Sequence, residues 1–124
     1  MAQQIRTFKD LKVWAKAHQL VLEVYLITKK FPAEEKFGLT SQIRRAAVSV
    51  ACNIVEGFRR KSIKDSLNFY NIADGSLEEL KYQSILSHDL GLINEAEFNK
   101  TFRLAEEVSK MLFFWIKSLK SKAS

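Results

Sequence analysis

The sequence predicts an all-α protein, an antiparallel up-and-down four-helix bundle. One proline and four glycines in 124 residues favour long uninterrupted elements over a turn-rich β fold. Apolar residues recur every three or four positions over segments much longer than a typical β-strand. Because 47% of the residues are apolar, one packed core can form, so residues 1–124 are predicted to be a single domain.

The first helix is predicted over about residues 10–31, where Phe31 and Pro32 end it. Its main apolar stripe comprises Val13, Ala17, Leu20, Val24, Ile27 and Phe31. A second apolar row runs beside it and comprises Trp14, His18, Val21 and Tyr25. Since two rows exceed what one bundle core covers, this helix is predicted to present apolar surface outside the core.

The second and third helices are predicted over about residues 39–60 and 62–91. The second is rich in Ala and Ser, which predicts a close approach to its neighbour. Either Gly57 terminates this helix, or the pattern runs on through Arg60 and a kink or a loop leads into the third helix. Ser62 has the position of a helix N-cap. In the third helix Gly75 would be unfavourable without a packing reason, so close packing is predicted there.

The fourth helix is predicted over about residues 94–120 and contains the run MLFFWI. Six consecutive apolar residues cover most of the circumference of a helix, and one core cannot bury them all. Together with the broad first helix, this predicts self-association, the alternative being that the aromatic rings fill a thick core. The predicted interface residues are Trp14, Tyr25, Met111, Phe113, Phe114 and Trp115.

No catalytic, metal or cofactor site is predicted, so the protein is expected to be no enzyme. Di-metal bundles use Glu-x-x-His motifs, but Ala15 and Ile85 stand three residues before His18 and His88. His18 is interpreted as a core or interface residue. Cys52, between apolar neighbours, is predicted to be an unreactive small hydrophobe.

A row of polar residues follows one face of the second helix at spacings of three and four. It comprises Gln42, Arg45, Ser49, Asn53, Glu56 and Arg60. Two interpretations stay open. The row is either solvated or hydrogen-bonded to the third helix, or it lines a groove in an assembly and contacts a ligand.

Basic residues at both ends of this helix are the candidate phosphate contacts. They are Arg44, Arg45, Arg59, Arg60, Lys61 and Lys64. The alternative is that the cations after Gly57 only stabilise the negative end of the helix dipole. Since no aromatic motif interleaves with them as in an RNA-recognition sheet, any binding is expected to be independent of base sequence.

The formal charge of +6 is unevenly distributed along the chain. Residues 1–61 contain twelve Lys and Arg against five Asp and Glu, whereas residues 62–124 carry a net −1. Such asymmetry indicates either an anionic partner such as RNA or DNA, or a lysine-rich surface that serves solubility alone. A single cysteine and the absence of an apolar targeting or membrane segment predict a cytoplasmic protein with no membrane partner.

Three stretches together resemble a known family: FKDLKVW, FPAEEKFGLTSQIRRAAVSVACNIVEG and IADGSLEELKYQ. From Phe8 to Leu119 the chain is similar to the 23S rRNA intervening sequence proteins. The resemblance implies an antiparallel four-helix bundle that assembles as a homopentamer. It also implies a distant similarity to the accessory protein of diversity-generating retroelements, a basic bundle that works with a reverse transcriptase.

The expected function is therefore non-enzymatic: an oligomeric bundle that associates with RNA or DNA through its basic surface. The alternative is a protein adaptor, accessory to a reverse transcriptase or another nucleic-acid enzyme, in which the charge serves solubility or steering.

Overall fold

The computed structural model describes residues 4–123, and all regular structure in that range is helical. The predicted all-α class with four long helices is confirmed. The helices are α1 (Lys12–Thr28), α2 (Leu39–Arg59), α3 (Ile63–Asp89) and α4 (Glu95–Ala123), with single 3₁₀ turns at Phe8–Asp10 and Ala33–Glu35. None of the helices in this range is both long enough and apolar enough to cross a membrane.

The four helices enclose one core. α1 packs on α2 and α4, and α3 packs on the same two helices, while no Cα atoms of the diagonal pairs lie within 8 Å of each other in residues 4–123. Each helix buries its predicted stripe because residues three and four apart share a face. Fully buried side chains include Leu20, Val24, Ile43, Val50, Ile54, Tyr70, Leu77, Leu80, Val108 and Leu112.

α1 is shorter than predicted at both ends. The side chain of Thr7 caps the 3₁₀ turn in a reciprocal box with Asp10, and extended backbone at Leu11 separates that turn from α1. Two backbone N–H groups hold the pKa of Asp10 below its usual range. The C-terminal turn of α1 ends at Thr28, three residues before the predicted stop at Phe31.

Gly57 does not terminate α2, and the alternative that the helix runs on past this glycine is confirmed. α2 continues through Gly57 to Arg59, and the connection to α3 is only Arg60 to Ser62. A Cβ atom at position 57 would lie 2.4 Å from Cε1 of Tyr70, so the glycine is required for close approach of α2 and α3. The hydroxyl of Ser66 donates to the Gly57 carbonyl at 2.7 Å and fixes this crossing.

The prediction of close packing at Gly75 was wrong. The residue is exposed on α3, and nothing lies within 4 Å of the position that a Cβ atom would take. No contact inside the described chain therefore compensates for a glycine in the middle of this helix.

Capping residues define the two ends of the connection between α3 and α4. Gly91 adopts φ +75, which favours glycine, and directs the chain away from α3. The Asn94 side chain accepts from Glu97 N at 2.8 Å, and the Glu97 carboxylate accepts from Asn94 N at 2.9 Å. A bond from Lys30, reinforced by the Asn94 amide, holds the pKa of Glu97 below its usual range.

Candidate nucleic-acid interface

The six predicted phosphate contacts do not form one patch. Arg44 and Arg45 are adjacent in sequence but point about 100° apart on α2. Arg44 donates to the Thr28 hydroxyl at 2.8 Å and stacks over the ring of Tyr25, 4.6 Å from its centroid. Arg45 instead pairs with Glu79 of α3 at 2.7 Å. Both guanidinium groups thus make their polar contacts within the chain.

The other four predicted cations lie at the connection between α2 and α3, about 22 Å along α2 from Arg44 by helical rise. Arg60 pairs with Glu56 and stacks over Phe69 at 4.5 Å. Arg59, Lys61 and Lys64 are exposed and have no acidic partner among residues 4–123. These three are available to an external anion.

The fold brings two further basic segments to the same end of the bundle. Tyr70, near the start of α3, meets the ring of Trp115, near the end of α4, with centroids 6.4 Å apart. A groove joins the N-terminal segment and the first turn of α1 to this same part of α4. The first turn of α1 therefore borders residues 111–118 of α4, and Tyr70 of α3 contacts the same part of α4.

We call this region the basic end, and define it as residues 4–12, 56–65 and 110–123. It contains eleven Lys and Arg against three Asp and Glu, a formal charge of +8, so the remainder of the chain carries −2. Sequence reasoning missed seven of these cations, because they lie in segments far apart along the chain. The seven are Arg6, Lys9, Lys12, Lys110, Lys117, Lys120 and Lys122.

Ion pairing is concentrated outside the basic end. Pairs such as Lys16 with Glu107 at 3.1 Å and Lys100 with Glu23 at 3.2 Å join α1 to α4. Within the basic end, Arg60 is the one cation with an acidic partner among the described residues. A surface of this kind has a strongly positive potential and attracts polyanions.

The polar row of α2 makes hydrogen bonds within the chain. The hydroxyls of Ser49 and Ser76 lie 2.8 Å apart across α2 and α3, and Asn53 donates to the Ser49 carbonyl at 2.8 Å. Gln42 accepts from Arg45 within the helix. The row thus runs along the contact with α3, and its described members have partners there or on α2 itself.

The predicted interface residues fall on two separate surfaces. Trp14 and Tyr25 lie on the α1 side, where Leu22 and Leu26 are 57% and 58% exposed. Met111 and Trp115 are half-buried against the core of the bundle. Phe113 and Phe114 are exposed on α4; their rings meet edge to face with centroids 5.4 Å apart.

Two potentially reactive side chains are exposed. His18 stacks on Trp14 with ring centroids 5.1 Å apart; its exposure excludes the core alternative, and the interface alternative stays a prediction. The prediction that Cys52 is a small hydrophobe among apolar neighbours needs correction. Cys52 is exposed because it lies on the outer side of α2, away from the face that buries Val50 and Ile54. Within residues 4–123 no three His, Cys, Asp or Glu are grouped so that they could hold a metal ion.

Fold and charge together define the class: a small four-helix protein with one polycationic end. The model of the 23S rRNA-intervening sequence protein family matches residues 9–113, and the chain belongs to that family. The predicted family membership is thereby confirmed.

A solved structure supports the same assignment. The chain is similar to a protein of unknown function from the S23 ribosomal protein family of Bacteroides thetaiotaomicron VPI-5482, with a TM-score of 0.79 and 26% identity. The similarity covers 85% of this chain and 95% of the other. Curated proteins give no match.

Proposed function

We propose that the chain is a non-enzymatic, self-assembling bundle that binds RNA or DNA through its basic end, independently of base sequence. The main support for this proposal is that eleven cations lie at one end of the bundle. Ten of them have no acidic partner among residues 4–123. Phosphate backbones neutralise such a surface and release counterions, which supplies affinity without base recognition.

The proposed topology is antiparallel and up-and-down. The contact between Tyr70 and Trp115 supports this for α3 and α4, because one residue lies in the first third of its helix and the other in the last third. The bond from Ser66 to the Gly57 carbonyl supports it for α2 and α3. Short connections between successive helices are typical of such bundles.

Self-assembly is proposed to use the outer side of α1. Leu22, Tyr25 and Leu26 are exposed there, whereas Glu23 between them in sequence is buried and pairs with Lys100, and an exposed apolar surface of this kind is typical of an interface. The family resemblance implies a homopentamer. Light scattering at micromolar concentration tests the assembly: a monomer mass would refute it and would leave this side of α1 for another protein, as in the adaptor role.

Nucleic-acid binding is tested by a salt titration with two charge-matched variants. Lys61→Gln/Lys64→Gln removes two charges from the basic end, and Lys29→Gln/Lys36→Gln removes two elsewhere. We expect the first variant to reduce the slope of log K against log salt by about 1.5 to 2, and the second to change it much less. Undetectable binding of the wild-type protein at low salt, or equal effects of both variants, would refute the assigned surface.

A further inference from the structure

The last half of α4 presents aromatic rings between cations. Phe113 and Phe114 are 62% and 55% exposed, and Lys110 and Lys117 lie about one turn before and after them. No acidic residue occurs between 110 and 123. The sequence lacks the interleaved aromatic pattern of an RNA-recognition sheet, because the rings and cations here alternate on the outer side of a helix.

Each ring borders a groove. Phe114 lines a groove of about 520 Å³ between α4 and the N-terminal segment. Its other walls are mainly apolar and include Leu11, Met111 and Trp115, and its charged residues are Asp10 and Lys12. Phe113 lines a groove of about 400 Å³ on the α3 side. Asp74 is the acidic residue of that second groove, and Lys117 and Lys120 line it too.

Three kinds of occupant could cover exposed rings among lysines: a second copy, an anionic lipid surface or a nucleic acid. A second copy that presents the same surface would bring lysines against lysines, which is unfavourable. A flat lipid surface follows one side of α4, whereas the grooves beside Phe113 and Phe114 lie on two different sides of that helix. A flexible strand can follow cations around the end of the molecule.

Stacking decides which nucleic acid fits. Aromatic side chains beside a positively charged groove bind successive unpaired bases, because every base has a π face. In a duplex those faces are already stacked and are inaccessible unless a base is flipped out.

We propose that Phe113 and Phe114 are stacking platforms for unpaired bases, and that the preferred ligand of the basic end is single-stranded RNA or DNA. Lys110, Lys117 and Lys120 contact the phosphates beside the stacked bases. This inference rests on the proposed function and adds the class of nucleic acid.

The test compares a labelled single-stranded oligonucleotide with a hairpin duplex of equal charge, by fluorescence anisotropy at one salt concentration. The test variant is Phe113→Leu/Phe114→Leu, which keeps apolar volume and removes both rings. Tyr82→Leu is the control, because Tyr82 is an equally exposed ring on α3 outside the basic end. Circular dichroism and light scattering establish that fold and mass are unchanged.

We expect the wild type to prefer the single strand, and the double variant to lose about tenfold or more of that affinity for each ring. Its duplex affinity and its salt slope should stay unchanged, and so should every property of Tyr82→Leu. A second readout leaves both phenylalanine rings in place. Trp14→Phe makes Trp115, in the groove wall, the remaining tryptophan. In this variant, single strands but not duplexes should quench the tryptophan fluorescence.

The outcomes separate the two proposals. If the wild type binds neither nucleic acid at low salt, the proposed function fails. If it binds both equally and loss of the rings changes neither, the function stands and the stacking inference is overturned. Ring-dependent binding to phosphatidylglycerol vesicles with ring-independent binding to nucleic acid also overturns it, in favour of a lipid surface. A ring-dependent fall in assembly mass overturns it in favour of a second copy.

Discussion

The same substitution, Gly→Ala, should have opposite effects at the two helical glycines. At Gly57 a new Cβ atom would lie 2.4, 2.8 and 2.8 Å from three ring carbons of Tyr70. Carbon atoms prefer about 3.5 to 4.0 Å, so the ring would have to move by about 1 Å. Tyr70 is 1% exposed and packs edge-on against Trp115, so it has no free space to enter.

The expected magnitudes follow from two opposing terms. Overpacking at Gly57 costs about 3 kcal/mol, while alanine gains about 1 kcal/mol of helix propensity, so Gly57→Ala should destabilise the fold by about 2 kcal/mol. At Gly75 no atom lies within 4 Å of the added methyl group, and only the gain remains. Gly75→Ala should therefore stabilise the fold by about 1 kcal/mol.

Urea unfolding followed by far-ultraviolet circular dichroism measures both changes, at one protein concentration because self-assembly contributes to apparent stability. Placing Gly57→Ala in a Tyr70→Leu background gives a double-mutant cycle, in which the penalty at position 57 should largely disappear. A Gly57→Ala variant as stable as the wild type would refute the close approach of α2 and α3. A penalty that persists without the Tyr70 ring would show that another contact causes it.

Three further predictions concern single side chains. Burial raises the pKa of Tyr70 from its ordinary value of 10.0, so the stability that its neutral form contributes is present below about pH 10 and is lost as the pH rises through the folded-state value. Tyr70→Phe should therefore reduce the alkaline fall in urea midpoint, and an unchanged fall would contradict this. Lys100→Met leaves the buried carboxylate of Glu23 unpaired and should cost about 1 to 2 kcal/mol in urea unfolding, which Glu23→Gln in the same chain should largely restore. A thiol reagent should label Cys52 in the native protein, and labelling only after unfolding would show that the outer side of α2 is covered.

The helices and their buried stripes could be predicted because both depend on local periodicity. Val13, Ala17, Leu20 and Val24 share one face of a helix wherever that helix packs, and all four are buried. The ends of α1 were less predictable, because the cap at Thr7 and the extended Leu11 depend on a few local hydrogen bonds.

The sites depended on contacts that periodicity does not contain. Gly57 and Gly75 look alike in sequence, and only the position of Tyr70 distinguishes them. Arg44 and Arg45 are neighbours in sequence, yet one reaches Thr28 on α1 and the other Glu79 on α3.

The basic end was the largest omission, since counting charge along the chain assigned the whole excess to the first half. The four lysines between residues 110 and 123 belong to a second half with a net charge of −1, because the acidic residues of α3 offset their positive charge in the sum. Folding separates these charges in space, because the last turns of α4 lie beside the first turn of α1 and the connection between α2 and α3.

Stability does not explain why ten cations of the basic end have no acidic partner among residues 4–123. Elsewhere on the bundle the same side chains are paired, as for Arg45 with Glu79 or Lys16 with Glu107. Exchanging a few cations at the basic end for acids would reduce like-charge repulsion and permit similar pairs. Exposed rings at Phe113 and Phe114 are a second feature that folding alone does not favour. Both unfavourable features occur on one surface, and a polyanion with stacking faces is the kind of partner that would stabilise both at once.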